Sequence, residues 1–167
     1  VKNGITIIDD YAHHPTAVRE TLAAARLRYF PTHTSSFIIH DSPRLWAIFE
    51  PHTFSRTKAT FDDLIKSFGS ADEVLISEIY PAREVKSGAT VTSEAVVQAI
   101  RVQSSPLNVG GVPKHKRGGG GINHVRLVHN KQQALDILKS EAKPGDVIIV
   151  MAVGDFNRLG YKLMEIL

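Results

Sequence analysis

Four short segments of this chain concentrate side chains that can exchange protons or hold charge. The first is Asp9-Asp10-Tyr11-Ala12-His13-His14-Pro15 and the second is Glu50-Pro51-His52-Thr53-Phe54-Ser55-Arg56-Thr57-Lys58. The third is Glu78-Ile79-Tyr80-Pro81-Ala82-Arg83-Glu84 and the fourth is Met151-Ala152-Val153-Gly154-Asp155. Histidine changes charge near neutral pH, so His13 can accept a proton from a reacting group or orient it. Arg56 offers a rigid fork of donors that fits a carboxylate or a phosphate. These types together suit an anionic substrate held beside a proton acceptor. A metal centre is not expected: adjacent histidines point to different sides, and no third ligand follows at a fixed spacing. The chain has no cysteine, which excludes a thiolate zinc site and a cysteine nucleophile.

The elements that must position these segments follow from apolar patterning. Ile5–Ile8 reads as a buried strand ended by Asp9-Asp10. Pro15 suits the first turn of a helix carrying Val18, Leu22, Ala25 and Tyr29 on its inner face. Leu45–Phe49 is a second strand, and Phe61, Leu64, Ile65 and Phe68 mark a second helix closed by Gly69, with Arg56 just before it. Val74–Ile76 is a third strand, and Val96, Val97 and Ile100 mark a helix entered from Thr92-Ser93. Val125–Val128 is a short strand, and Asn130 with Gln133 gives a capping-box pattern before Leu135 and Leu138. Val147–Val150 is the last strand, followed by a helix with Leu159, Leu163 and Ile166-Leu167.

Strand then helix, five times over, with strands continuously apolar, predicts an α/β fold. Its sheet is Rossmann-like and mostly parallel, with helices on both faces. Ligands of such a sheet bind at the carboxyl ends of the strands, where all four segments fall. The amino ends are expected to carry nothing comparable. Two stretches are expected as surface loops: Pro31–Pro43, and Gln103–Asn123, which holds six of the twelve glycines. Neither is a phosphate loop, because no strand leads into a Gly-Lys-Ser/Thr turn.

The 167 residues make one domain, 1–167, of ordinary globular composition at 43% hydrophobic and 22% charged. The formal net charge is +3, but Lys114, Lys116 and Arg117 alone account for it, inside the Gly-rich stretch and without aromatics. A nucleic-acid partner is therefore not expected. No apolar run reaches the roughly 20 residues of a membrane span, so no membrane partner is expected either. The absence of cysteine fits a reducing, cytoplasmic setting. The start at Val1, without a signal-peptide apolar region, reads as a piece of a longer chain.

Taken together, the four segments resemble the C-terminal domain of the Mur ligases. Asp9 to Pro15 reproduces that family's Asp-Asp-Tyr-(Gly/Ala)-His-His-Pro. Glu50 to Lys58 matches Gln-Pro-His-Arg-(Tyr/Phe)-(Ser/Thr)-Arg-Thr-Arg at Pro51, His52, Phe54, Ser55, Arg56 and Thr57, and departs at Glu50, Thr53 and Lys58. Tyr80-Pro81-Ala82 fits the family's Tyr-Pro-Ala, and Ala152-Val153-Gly154-Asp155 stands where it has Gly-Ala-Gly-Asp. The similarity is greatest to the branch that joins L-alanine to UDP-N-acetylmuramate in peptidoglycan synthesis.

The resemblance implies an ATP-dependent ligase whose N-terminal and central domains lie outside this chain. ATP and Mg²⁺ then belong to the whole enzyme, none is held by this domain alone, and the isolated domain is inactive. UDP-N-acetylmuramate and L-alanine are the implied substrates. His13 is the implied catalytic residue, Tyr11, His52 and Arg56 the substrate-binding residues, and Asp10 and Tyr11 the nucleotide contacts. Two other readings stay open: a related Mur-type ligase that recycles murein peptides, and a non-catalytic nucleotide- or partner-binding Rossmann-like module. The His-x-x-x-Arg spacing of His52 and Arg56 counts against the first of these.

Overall fold

The computed structural model describes residues 1–31, 42–84, 90–104, 122 and 124–167. The loops expected over 31–43 and 103–123 fall outside these residues apart from their ends. Five strands form one sheet: β1 (Thr6–Asp10), β2 (Leu45–Phe49), β3 (Glu73–Ser77), β4 (His124–Val128) and β5 (Val147–Met151). Their order is β1-β5-β2-β3-β4, and every pairing is parallel. β2, β3 and β5 are buried at every position, as continuous apolar runs between two helical layers require.

Side chains alternate between the layers. Leu45, Ala47, Phe49, Val74, Ile76, Ile149 and Met151 pack towards α1 (Pro15–Tyr29) and α4 (Ser93–Ser104). Trp46, Ile48, Leu75, Ile148 and Val150 pack towards α5 (Lys131–Glu141) and α6 (Leu159–Ile166). The expected α/β sheet with helices on both faces is what the chain forms.

Local departures have physical causes. β1 runs on through Asp9 and Asp10, because Val150 and Met151 of β5 pair with them. Tyr29 is 42% exposed and lies off the buried stripe of α1. The helix expected over Phe61–Phe68 is the shorter α3 (Phe61–Leu64), and a further short helix, α2 (Phe54–Ala59), precedes it across Thr60. Beyond α3 the chain tightens: Lys66 and Ser67 donate to carbonyls three residues back, at Asp63 and Leu64. Leu64 and Phe68 are still buried, so the apolar spacing was read correctly and the helix length was not. At α5, Asn130 accepts the Gln133 N–H at 2.9 Å, while the Gln133 side chain takes the His129 N–H at 2.8 Å, one residue earlier than in a standard capping box.

The amino ends of the strands are not bare. Asp146, 1% exposed, accepts from the Arg44 N–H (2.7 Å), the Trp46 indole (2.8 Å) and the Arg44 guanidinium (3.2 Å). Buried Glu73 sits 3.7 Å from Arg44, 3.5 Å from Arg126 and 3.0 Å from His124. Arg44 lies 4.6 Å over the Trp46 ring, and Arg126 pairs with Glu141 at 2.6 Å. Read singly along the chain, these look like flanking surface charges; the parallel register stacks them into one buried network.

Candidate functional site

The turn after β1 is braced from within. Asp10 accepts the Ala12 N–H at 2.7 Å and the Thr21 hydroxyl of α1 at 3.1 Å, so both its oxygens are engaged by the chain's own donors. That places Asp10 as a brace for the two residues that follow. Tyr11 is 70% exposed, and its ring meets His13 edge-on at 5.1 Å. It borders a shallow groove with Asp9, Ala152 and Asn157. His13 Nδ1 lies 2.8 Å from the Tyr11 carbonyl oxygen. A carbonyl only accepts, so Nδ1 carries a proton, and in the neutral ring the lone pair is on Nε2.

The turn after β2 brings the second half. His52 pairs with Tyr80 through a parallel bridge, stacks on its ring at 5.7 Å and lies 6.3 Å from His13. Its Nδ1 is buried with no hydrogen-bond partner among the described residues. Arg56 lies inside α2 rather than ahead of a helix, and shares a small cleft with His13, His52, Thr57 and Thr60. Among the described residues no carboxylate lies within ion-pair distance of it. The cleft thus gathers the Arg56 cation with two histidines, and the Glu84 carboxylate acts on His52 in the opposite sense. Burial, then the Arg56 cation and His13, push the His52 imidazole below its ordinary 6.5. Burial, then His13 and Arg56, lower His14 likewise.

A histidine with a lowered folded value binds fewer protons than its unfolded form as pH falls below 6.5. Its contribution is present above that pH and is lost as pH falls through the depressed value. Melting followed from about pH 8 to about pH 5 should show stability declining below 6.5. His52→Phe, which keeps a ring on Tyr80, should flatten part of that decline; an unchanged slope would contradict the burial of the imidazole.

Thr53, where the resembled family has arginine, caps α2: its hydroxyl accepts the Arg56 N–H at 3.4 Å. Its φ of +60° is rare for a β-branched residue, and it is held there by bonds from its N–H to the Tyr80 carbonyl (2.8 Å) and from the Thr57 hydroxyl to its carbonyl (2.8 Å). Glu84 accepts the Ser55 N–H at 3.1 Å and the Ser55 hydroxyl, bonds that hold its carboxyl below the ordinary range. Lys58 and Arg83 are exposed.

Glu50 was not singled out as a site residue. It is 2% exposed and accepts the Gly154 N–H at 2.6 Å and the Phe156 N–H at 3.2 Å. Burial raises its pKa, the two N–H bonds oppose the rise, and Asp155 adds to it. The signal available in the chain was an acid where the resembled pattern has glutamine. Glu78 pairs with His129 at 2.7 Å in a second, larger groove shared with Tyr80, Lys131 and Lys162, and Asp155 stands exposed at its edge. Among the described residues no three His, Asp or Glu converge to hold a metal ion, and no helix is long and apolar enough to cross a membrane.

Residues 1–154 match the family model described as "Mur ligase, glutamate ligase domain". The chain is 34% identical over 160 residues to UDP-N-acetylmuramate–L-alanine ligase of Clostridium tetani, covering 96% of this chain and 28% of that protein. It is 38% identical over 165 residues to the ligase of the same name from Roseiflexus sp., covering 99% of this chain and 28% of that protein. A murein peptide ligase from Psychrobacter arcticus superimposes with a TM-score of 0.64 at 24% identity, over 98% of this chain and 28% of that one. The chain thus spans just over a quarter of the length of the relatives it matches. With a five-stranded parallel sheet and the site motifs at its carboxyl ends, the chain belongs to the Mur ligase C-terminal, glutamate ligase domain family.

Proposed function

We propose that this chain serves as the C-terminal domain, 1–167, of an ATP-dependent ligase that adds L-alanine to UDP-N-acetylmuramate in the cytoplasm. The observation that carries this reading is the convergence of His13, His52 and Arg56 on one cleft whose cation has no carboxylate partner among the described residues. The names of the relatives supply the substrates.

Arg56 holds the carboxylate of the incoming amino acid in a bidentate fork. His52 lies beside it, its half-buried ring held below its ordinary pKa chiefly by burial and offering polarity to the ligand. His13 Nε2, with Nδ1–H fixed on the Tyr11 carbonyl, takes the proton from the substrate ammonium. The freed amine then attacks the activated carboxyl carbon of UDP-N-acetylmuramate, forming the amide C–N bond as the acyl C–O bond breaks and inorganic phosphate leaves. ATP, when bound by the whole enzyme, supplies the phosphoryl group that activates that carboxylate as an acyl phosphate. The exposed ring of Tyr11 beside its groove fits a nucleotide edge. Asp10 fits less well as a direct contact because its oxygens are already engaged. The described residues offer no acidic cluster for Mg²⁺.

The test is His13→Ala in a ligase carrying this domain. Its kcat should fall roughly 10²- to 10⁴-fold, the usual worth of general acid–base catalysis, and most at lower pH where the amine must shed a proton. A uniform loss across pH would remove His13 from proton transfer. The 167-residue chain alone should release no phosphate from ATP.

A further inference from the structure

We propose that Glu50 is a positioning residue: its carboxylate latches the loop after β5 onto the end of β2 and, through Gly154 and Tyr80, sets the plane of His52. Its part in the reaction rests on reading His52 as a substrate-binding group; the latch itself does not.

Glu50 follows β2 directly, and its own N–H reaches the Met151 carbonyl at 3.1 Å. Its two oxygens take two N–H groups of one loop, Gly154 at 2.6 Å and Phe156 at 3.2 Å. A carboxylate presents an acceptor at both tips. A carboxamide presents one acceptor and one NH₂, which would face an N–H. No cation pairs with Glu50 among the described residues. Burying an unpaired carboxylate is unfavourable unless such bonds offset it. Two N–H groups facing the two oxygens suit the acid better than the carboxamide.

The loop it holds is pressed against Tyr80. A Cβ on Gly154 would fall 2.4 Å from the Tyr80 ring, so the glycine backbone and the ring are in direct contact. Tyr80 is tied into the His52 segment by its N–H to the Pro51 carbonyl and by the Thr53 N–H to its own carbonyl, both 2.8 Å. Its ring then stacks on His52 with the planes 29° apart. Releasing the loop removes the backing of that ring.

The test is Glu50→Gln, read by NMR of the histidine rings and backbone amides in the 167-residue chain at mildly alkaline pH. The His52 ring protons, shielded by the Tyr80 face, should lose much of their upfield shift, and the Gly154 and Phe156 amides should move. His124, at the amino end of β4, should stay in place. Gly154→Ala pushes on Tyr80 without touching the carboxylate and should displace the same His52 signals; it carries the test if Glu50→Gln does not fold. Unmoved His52 signals in either folded variant overturn the proposal, and so does His124 moving along with His52, which would mean general loosening. In a ligase carrying the domain, Glu50→Gln should raise the amino-acid KM about tenfold, less than the ~100-fold a 1 Å misplacement can cost, with Glu50→Asp recovering part. Moved His52 signals with an unchanged KM would support the latch and overturn the substrate role of His52.

Discussion

Replacing Arg56 by alanine should raise the KM for L-alanine roughly 30- to 5000-fold in a ligase carrying this domain. Removing one partner of a desolvated charge pair costs ~2–5 kcal/mol, and each 1.4 kcal/mol is about tenfold. Arg56 stands in the cleft with His13 and His52 and lacks a carboxylate partner among the described residues, and in the proposed reading the amino-acid carboxylate would supply the pairing charge. Arg56→Lys should recover only part of the loss, because a point charge cannot make the two parallel bonds of the guanidinium. Steady-state kinetics with L-alanine varied at saturating ATP and UDP-N-acetylmuramate decides it. An Arg56→Ala enzyme with unchanged KM and kcat would remove Arg56 from the site, and with it the case for His52 beside it.

The largest loss of stability should come from the other end of the sheet. Asp146→Ala should lower the unfolding free energy by ~3–5 kcal/mol, the usual consequence of removing one side of a buried ion pair. The aspartate serves the Trp46 indole, the Arg44 backbone and the Arg44 guanidinium together, so its removal strands several buried donors at once. Urea unfolding followed by Trp46 fluorescence measures it. Asp146→Asn, which keeps an acceptor oxygen, should restore part of the loss. A midpoint for Asp146→Ala close to that of the parent would show the network to be incidental.

The two ends of the sheet were not equally legible in the chain. At the carboxyl ends the reactive residues come in contiguous runs, so Asp10, Tyr11 and His13 announce themselves together. At the amino ends Arg44, Glu73, Arg126 and Asp146 are scattered over about a hundred positions, each at or near the start of a strand where an ordinary surface charge could stand. Only the parallel register sets Glu73 opposite Trp46 and His124. Glu50 was missed for a related reason. Its partners are backbone N–H groups at Gly154 and Phe156, and a backbone donor leaves no mark in the side-chain sequence.

By itself the sequence determined the strands, the parallel α/β arrangement, the helix starts at Pro15, Ser93 and Asn130, and the family. These follow from local periodicity and from motifs a few residues long, which tertiary contact does not need to complete. The tertiary structure alone decided that the helix begun at Phe61 stops at Leu64, that Asp10 spends its oxygens on Ala12 and Thr21, and that Arg56 stands without a carboxylate partner among the described residues. Whether a polar group is free or engaged depends on donors and acceptors brought beside it by the fold. Those neighbours are distant in the chain, and no spacing along it encodes them.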